Sequence, residues 1–186
     1  APFTGAQALR EPFNRIAFHV RASYFDETAE IVKQVTSIGA KRIAVFHQND
    51  SYGKAGLDGV LRALKPLNLE PAALGTVERN TVDVAAAVKS ILAGKPDAIV
   101  QISAYKSCAA FIREARKAGY GGAFYNVSFV GTKALADELG ADARGVIVSQ
   151  VMPYPYSPAS PLSGDYLAAG KAADGDKFEP NYSSIE

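Results

Sequence analysis

The chain has 186 residues, of which 48% are hydrophobic and 21% charged, with a net charge of +1. These values suit one average globular domain with extra segments at its ends, and the interspersed charges leave no basic stripe for nucleic acid. No apolar run approaches the ~20 residues of a membrane span. The first residues, "APFTGAQALREPFN", lack the charged start and apolar core of a signal peptide.

Strand and helix signals alternate along the chain. "RIAFHV" (15–20) reads as a strand, and Asp26 as the cap of a helix over 27–38, with Ile31, Val35 and Ile38 on one face and Gly39 as its stop. "RIAVF" (42–46) is a buried strand. Leu57, Val60, Leu61 and Leu64 then form a helical stripe ended by Pro66. "LEPAAL" (69–74) is a weaker strand whose Pro71 suits a sheet edge. Val84, Val88, Ile91 and Leu92 mark a helix closed by Gly94 and Pro96, and "AIVQI" (98–102) is a strong strand. Cys108, Phe111, Ile112 and Ala115 make the next stripe, stopped by Gly119; "AFYNV" (123–127), a short helix near 132–138 and "GVIVSQV" (145–151) complete the series.

Strands separated by single helices imply parallel pairing with right-handed crossovers, and near-continuous apolar strands fit a sheet covered on both faces. The expected fold is therefore α/β: an open, doubly wound parallel sheet, Rossmann-like or flavodoxin-like, over residues 15–151. Ligands of such sheets sit outside the carboxyl ends of the strands. Here that edge comprises the turns at 21–26, 47–53, 76–82, 103–106 and 128–132. The tail differs: "MPYPYSPASP" (152–161) carries four prolines, and the remainder has a short helical stretch without a strong apolar face.

The turn "QNDSYGKAGLDG" places Gly53, Gly56 and Gly59 three residues apart. A dinucleotide fingerprint needs Gly-x-Gly-x-x-Gly, and a P-loop needs Gly-x-x-x-x-Gly-Lys-Ser/Thr; neither spacing is met. Two of the glycines fall inside a helix, where they permit close packing. Asp50 or Ser51 suits the helix cap, and Tyr52 stands beside the ligand edge, packed on the turn or facing a ligand. Gln101, Ser103, Ala104 and Tyr105 leave the strongest strand at the same edge. Arg21, Ser23 and Tyr24 come from the first turn, and Ser128 and Phe129 from another. Apolar walls with a few directed polar groups are how small-molecule pockets are built.

Catalytic and metal signals are sparse. No serine lies in Gly-x-Ser-x-Gly, and the two histidines and one cysteine have no zinc spacing. His47 is the candidate base at a strand end. His19 lies within a strand pattern, and Cys108 sits on a core stripe. Asp26, Glu27 and Asp50 cluster in turns, where capping accounts for them. One cysteine excludes an internal disulfide and leaves the compartment open.

The segments "PFTGAQALR", "FHVRASYFDETAEIVKQV", "GAKRIAVFHQNDSYGKAGLDGV", "LAGKPDAIVQISAYKSCAAFIREARKAGY", "GVIVSQVMPYP" and "PNYSSIE" together resemble the type I periplasmic solute-binding proteins of ABC importers, in their branched-chain amino-acid-binding family. The resemblance implies a two-lobed protein holding its ligand between α/β lobes, of which this chain is an internal piece. Residues 1–20 would be the tail of the first lobe and a hinge strand. Residues 21–150 would be the second lobe, and 151–186 the hinge return with a segment of the first lobe. A signal peptide would precede the piece, and the protein would be periplasmic. Its partners would be a small-molecule ligand (an amino acid or related carboxylate or amide) and ABC permease membrane subunits, with no cofactor, metal, nucleic acid or catalysis.

By the same resemblance, Tyr52 and Tyr105 match positions where the family sets aromatic rings against the ligand. Ser103, Ala104, Tyr24 and Phe129 lie on the same or neighbouring turns. Ser128 stands where amino-acid binders place a carboxylate for the ligand's ammonium, so that counter-charge must come from another acid, such as Asp50, or the ligand is an amide, organic acid or aromatic carboxylate. The alternatives are a ligand-sensing receptor domain of the same fold and an α/β enzyme centred on His47.

Overall fold

The structure, a computed structural model, describes residues 2–186. Five parallel strands form one sheet in the order β2-β1-β3-β4-β5. They are β1 (Ile43–Gln48), β2 (Ala73–Val77), β3 (Ala98–Ile102), β4 (Ala123–Asn126) and β5 (Val146–Val148). Helices α1 (Tyr24–Ser37) and α2 (Ser51–Leu64) cover one face; α3 (Ala85–Ala93), α4 (Tyr105–Lys117) and α5 (Thr132–Leu139) cover the other. The expected doubly wound α/β sheet is the one observed.

Alternation of side chains along the strands divides the core in two. Ala44, Phe46, Ile99 and Phe124 point toward α3, α4 and α5, where Phe46 stacks on Phe111 at 4.2 Å. Ile43, Val45, Val100 and Tyr125 point toward α1 and α2, against Ile31, Val35, Val60 and Leu64. The central strands β1 and β3 are buried at every residue. Such burial explains their unbroken apolar sequence.

Local details depart from the sequence expectations at identifiable points. Residues 15–20 do not join the sheet; Ile16, Phe18 and Val20 are exposed. Their alternating pattern is strand-like, but no neighbouring strand among the described residues offers ladder hydrogen bonds. The cap of α1 is Ser23, not Asp26. The Ser23 Oγ accepts from the Asp26 N–H at 3.1 Å while Asp26 accepts from the Ser23 N–H at 2.9 Å, a reciprocal capping box. These bonds also hold the Asp26 carboxyl below its ordinary range. Strand β2 begins after Pro71 and runs to Val77, later than 69–74, and lies at the sheet edge. Leu61 faces outward. In the tail, Ser160 caps α6 (Pro161–Asp174), with Pro161 at its first position, and α7 spans Tyr182–Ile185.

Helix α2 follows the turn after β1, capped by Asp50, which accepts from the Gly53 N–H at 3.0 Å. Its glycines are packing residues. A Cβ on Gly53 would lie 1.8 Å from the Gln48 carbonyl oxygen, on Gly56 2.6 Å from Ile102, and on Gly59 2.3 Å from the Thr28 hydroxyl of α1. The helix is thereby pressed onto the sheet and onto α1, which sets where Tyr52 and Tyr24 stand.

Gly53→Ala is expected to lower stability by about 1–3 kcal/mol, because backbone rather than a flexible side chain must move. Gly121→Ala, whose Cβ would meet nothing within 4 Å, serves as the neutral control in urea unfolding. Ser23→Ala, removing the capping box of α1, is expected to lose about 1 kcal/mol in the same measurement.

Candidate functional site

In the observed strand order the chain leaves β1 for the β2 edge and returns to β3 on its other side. The topological switch point lies between β1 and β3, where the carboxyl ends diverge and open a crevice. The turn after β1 delivers Tyr52 on the first turn of α2, and the turn after β3 delivers Ser103, Ala104 and Tyr105. The switch point therefore gathers two of the turns that the sequence singled out.

Three expected site residues meet as rings. Tyr52 lies 4.9 Å from Phe129 and 5.3 Å from Tyr24, and Tyr24 lies edge-on to Phe129 at 6.2 Å between centroids. Phe3 joins them, 5.8 Å from Phe129. Tyr24 is buried, its hydroxyl 3.3 Å from Thr4 Oγ1. Phe129 keeps 37% of its surface exposed at the rim. The Tyr52 hydroxyl is buried and has no hydrogen-bond partner among the described residues. Burial raises the pKa of this phenol well above its ordinary value, and does the same less strongly for Tyr24. Beside Tyr24 and Tyr52 lies an open groove of about 500 Å³, bordered also by Phe25, Ser51 and Ala55.

Ser103, Ala104 and Tyr105 are arranged differently. Ser103 is fully buried, its hydroxyl 3.5 Å from Gln48 Oε1, and Ala104 takes the cap position of α4. Ala104 is exposed, and α4 has no side-chain cap. Tyr105 is half-buried on the first turn of α4 and packs with the core under α3 to α5, whereas Tyr52 packs with the core under α1 and α2. The two tyrosines thus rise from one sheet edge on opposite faces of the sheet.

Ser128 belongs to a buried ionic network that the sequence did not disclose. Glu27 Oε2 accepts from the Ser128 N–H at 2.8 Å and the Ser149 hydroxyl at 2.6 Å. Glu27 Oε1 accepts from the Ser128 hydroxyl at 3.0 Å and lies 3.5 Å from Arg21 Nη2. Arg21 Nη2 also donates to the Ser128 hydroxyl. Glu186 Oε1 lies 3.4 Å from Arg21 Nε. Arg21 and Glu27 are each only 4% exposed, and the guanidinium sits over Phe3 and Phe129 at 5.3 and 5.6 Å. Capping therefore explains Asp26 and Asp50 but not Glu27, whose carboxylate is turned inward from α1 to the 128 turn. Arg21 and Glu27 six residues apart were visible in the sequence. What was missing was the turn of chain between them that lets both reach Ser128.

His47 lies buried in β1, its Nδ1 3.1 Å from the Gln48 carbonyl oxygen. Cys108 is enclosed in the core and its thiol pKa is pushed upward by desolvation. Among the described residues no group of histidine, cysteine and carboxylate side chains has the proximity to hold a metal ion, and no helix is long and apolar enough to cross a membrane.

The architecture and the sequence agree with known proteins. A family model described as a periplasmic binding protein matches residues 2–186. A possible leucine/isoleucine/valine-binding protein from Rhodopirellula baltica SH 1 is 34% identical, with a TM-score of 0.92 over 100% of this chain and 51% of its own. A substrate-binding periplasmic protein from Ralstonia solanacearum is 29% identical, with a TM-score of 0.89 over 100% of this chain and 52% of its own. An extracellular ligand-binding receptor from Verminephrobacter eiseniae ef01-2 is 28% identical, with a TM-score of 0.82 over 97% of this chain and 52% of its own. No curated protein matches the chain in sequence. The chain thus spans about half the length of these solved proteins. A family match over 185 of its 186 residues, with a TM-score of 0.92 to a solved relative 34% identical, places the chain in the periplasmic binding protein family.

Proposed function

We propose that residues 21–150 are the second lobe of a two-lobed substrate-binding protein serving an ABC importer in the periplasm, and that the carboxyl edge of this sheet is one wall of its ligand cleft. The flanking segments, 1–20 and 151–186, would connect that lobe to the first. The observation that carries this reading is the convergence of Tyr24, Tyr52 and Phe129 at the switch edge, with a buried phenol hydroxyl left unpartnered. A buried hydroxyl without a partner is costly, and a protein that keeps one has a use for it. The ligand is a small carboxylate or amide of amino-acid size. The printed name of the Rhodopirellula relative, a possible leucine/isoleucine/valine-binding protein, supports that size class.

No bond is made or broken in the proposed mechanism. The ligand bridges the lobes and stabilises the closed arrangement by its differential affinity for it, and the permease meets that arrangement. Tyr24, Tyr52, Tyr105 and Phe129 cover apolar ligand surface. Ala104, through its backbone, and Ser128 border the polar end, while Ser103 supports the turn from beneath.

Calorimetric titration of the full-length protein against amino acids, amides and small organic acids is expected to find a saturable ligand. Tyr105→Ala is expected to weaken it by at least about tenfold; unchanged affinity would remove Tyr105 from the site. Tyr52→Phe is expected to leave stability unchanged or raise it by about 1 kcal/mol at neutral pH, since it deletes an unsatisfied buried group. The sign also follows for alkaline pH. The folded state holds the Tyr52 proton more tightly than the unfolded chain, whose phenol ionises near pH ~10, so stability falls as pH rises past that value. Tyr52→Phe is expected to lose less stability than wild type over the same interval in thermal melts, with Tyr24, Tyr120, Tyr182 and Cys108, all raised by burial, contributing the shared remainder.

A further inference from the structure

The ionic network around Arg21 leaves atoms of both kinds unpaired on one side of the guanidinium. Arg21 Nε lies 3.4 Å from Glu186 Oε1, yet neither atom makes a hydrogen bond among the described residues, and Arg21 Nη1 is likewise buried without a partner. Nη2, by contrast, donates to Ser128 Oγ and lies 3.5 Å from Glu27 Oε1. The side chains of Arg21 and Glu186 are only 1% and 6% exposed, so bulk solvent does not serve these groups. Beside them lies a void of about 20 Å³ whose lining includes Arg21, Ser128, Phe129 and Glu186. That is room for about one water molecule. A buried ion pair offsets its desolvation only when its remaining hydrogens and lone pairs are also bonded.

We propose that this void is a binding site for a single water molecule, which accepts from a free Arg21 N–H and donates to Glu186 Oε1 and Ser128 Oγ. The volume excludes any occupant larger than about one non-hydrogen atom. The unpartnered set combines N–H donors with a carboxylate acceptor, so the occupant must both accept and donate, as water does. An ion of either sign meets its own charge: an anion faces Glu186 and Glu27, a cation the guanidinium. Ser128 Oγ gives its proton to Glu27 and accepts from Arg21, which leaves one lone pair for the second hydrogen of the water. Three partners are the usual number for a buried water. Glu186 belongs to the tail and Ser128 to the turn after β4, beside Phe129, so the water joins the tail to the turn that carries that ring. The site is built from the chain's own atoms, whatever the cleft binds.

The test is a high-resolution crystal structure of the full-length protein, ligand-free and with the ligand that titration identifies. In both forms one ordered peak is expected, refining as oxygen within hydrogen-bond distance of Arg21 and Glu186. Arg21 and Glu186 closed onto each other with no peak between them overturns the proposal, as does a halide identified there by its anomalous signal. A ligand atom in the void overturns it too, while the binding-protein reading stands. The ligand-free crystal decides the water site even if titration finds no ligand and the binding-protein reading falls. Glu186→Met, of similar length but without a carboxylate, is expected to lose the peak and to lower the melting temperature; a peak retained in place overturns the role of Glu186. Glu186→Gln, the gentler variant should the first not fold, keeps one acceptor oxygen and is expected to keep the peak; its loss there overturns the hydrogen-bond assignment.

Discussion

Arg21 is a cation almost entirely removed from water, and the carboxyl edge of the sheet is organised around its compensation. An isolated buried guanidinium is untenable. Glu27 meets it from the first turns of α1, Ser128 from the turn after β4, and Glu186 from the tail, while Phe3 and Phe129 cover its faces. One cation therefore ties together segments from both ends of the chain and the middle of the lobe. A buried ion pair is weak evidence for stability, because desolvation offsets much of the attraction. Its value lies in geometry: removing either partner strands the other, so the turn bearing Ser128 and Phe129 has one arrangement.

The rest of the site follows from sheet topology and close packing. The switch between β1 and β3 opens the edge, and the small residues of α2 let that helix sit hard against Gln48, Ile102 and Thr28. Tyr52, one residue ahead of Gly53, is carried to its place by backbone contact rather than by its own side chain. The three-residue glycine spacing that fails every phosphate motif is thus a packing device, and its functional effect is to fix a ring one turn away.

The fold was legible because its signals are periodic and local. β1 and β3 are largely apolar runs, the helices between the strands carry one-sided stripes, and glycines stop α1 and α4. Residues 15–20 misled for a physical reason: alternation of Ile16, Phe18 and Val20 states a preference for extended backbone, but a strand also requires a neighbour. Asp26 was mistaken for a cap because both members of a capping box carry capping chemistry, and only coordinates say which one precedes the helix. At the carboxyl edge, the residues that the strand-end turns carry there could be named from the turns alone. The partnership of Arg21, Glu27, Ser128 and Ser149 could not, since it spans 122 positions between Glu27 and Ser149 and depends on where β4 and β5 finish. Nor could the sequence say that Ser103 lies beneath the surface, or that Tyr105 and Tyr52 lean on different halves of the core.

The exposed alternation at 16, 18 and 20 also bears on how the protein behaves in bulk. Every second side chain there is apolar and exposed, although Asn14 takes up the Ile16 and Ala17 N–H groups in a turn, and such a run invites edge-to-edge association. A segment packed over that ribbon would act as an antiaggregation shield as well as a tether. Losing the cover would show first as turbidity, before any change in the helices or the sheet.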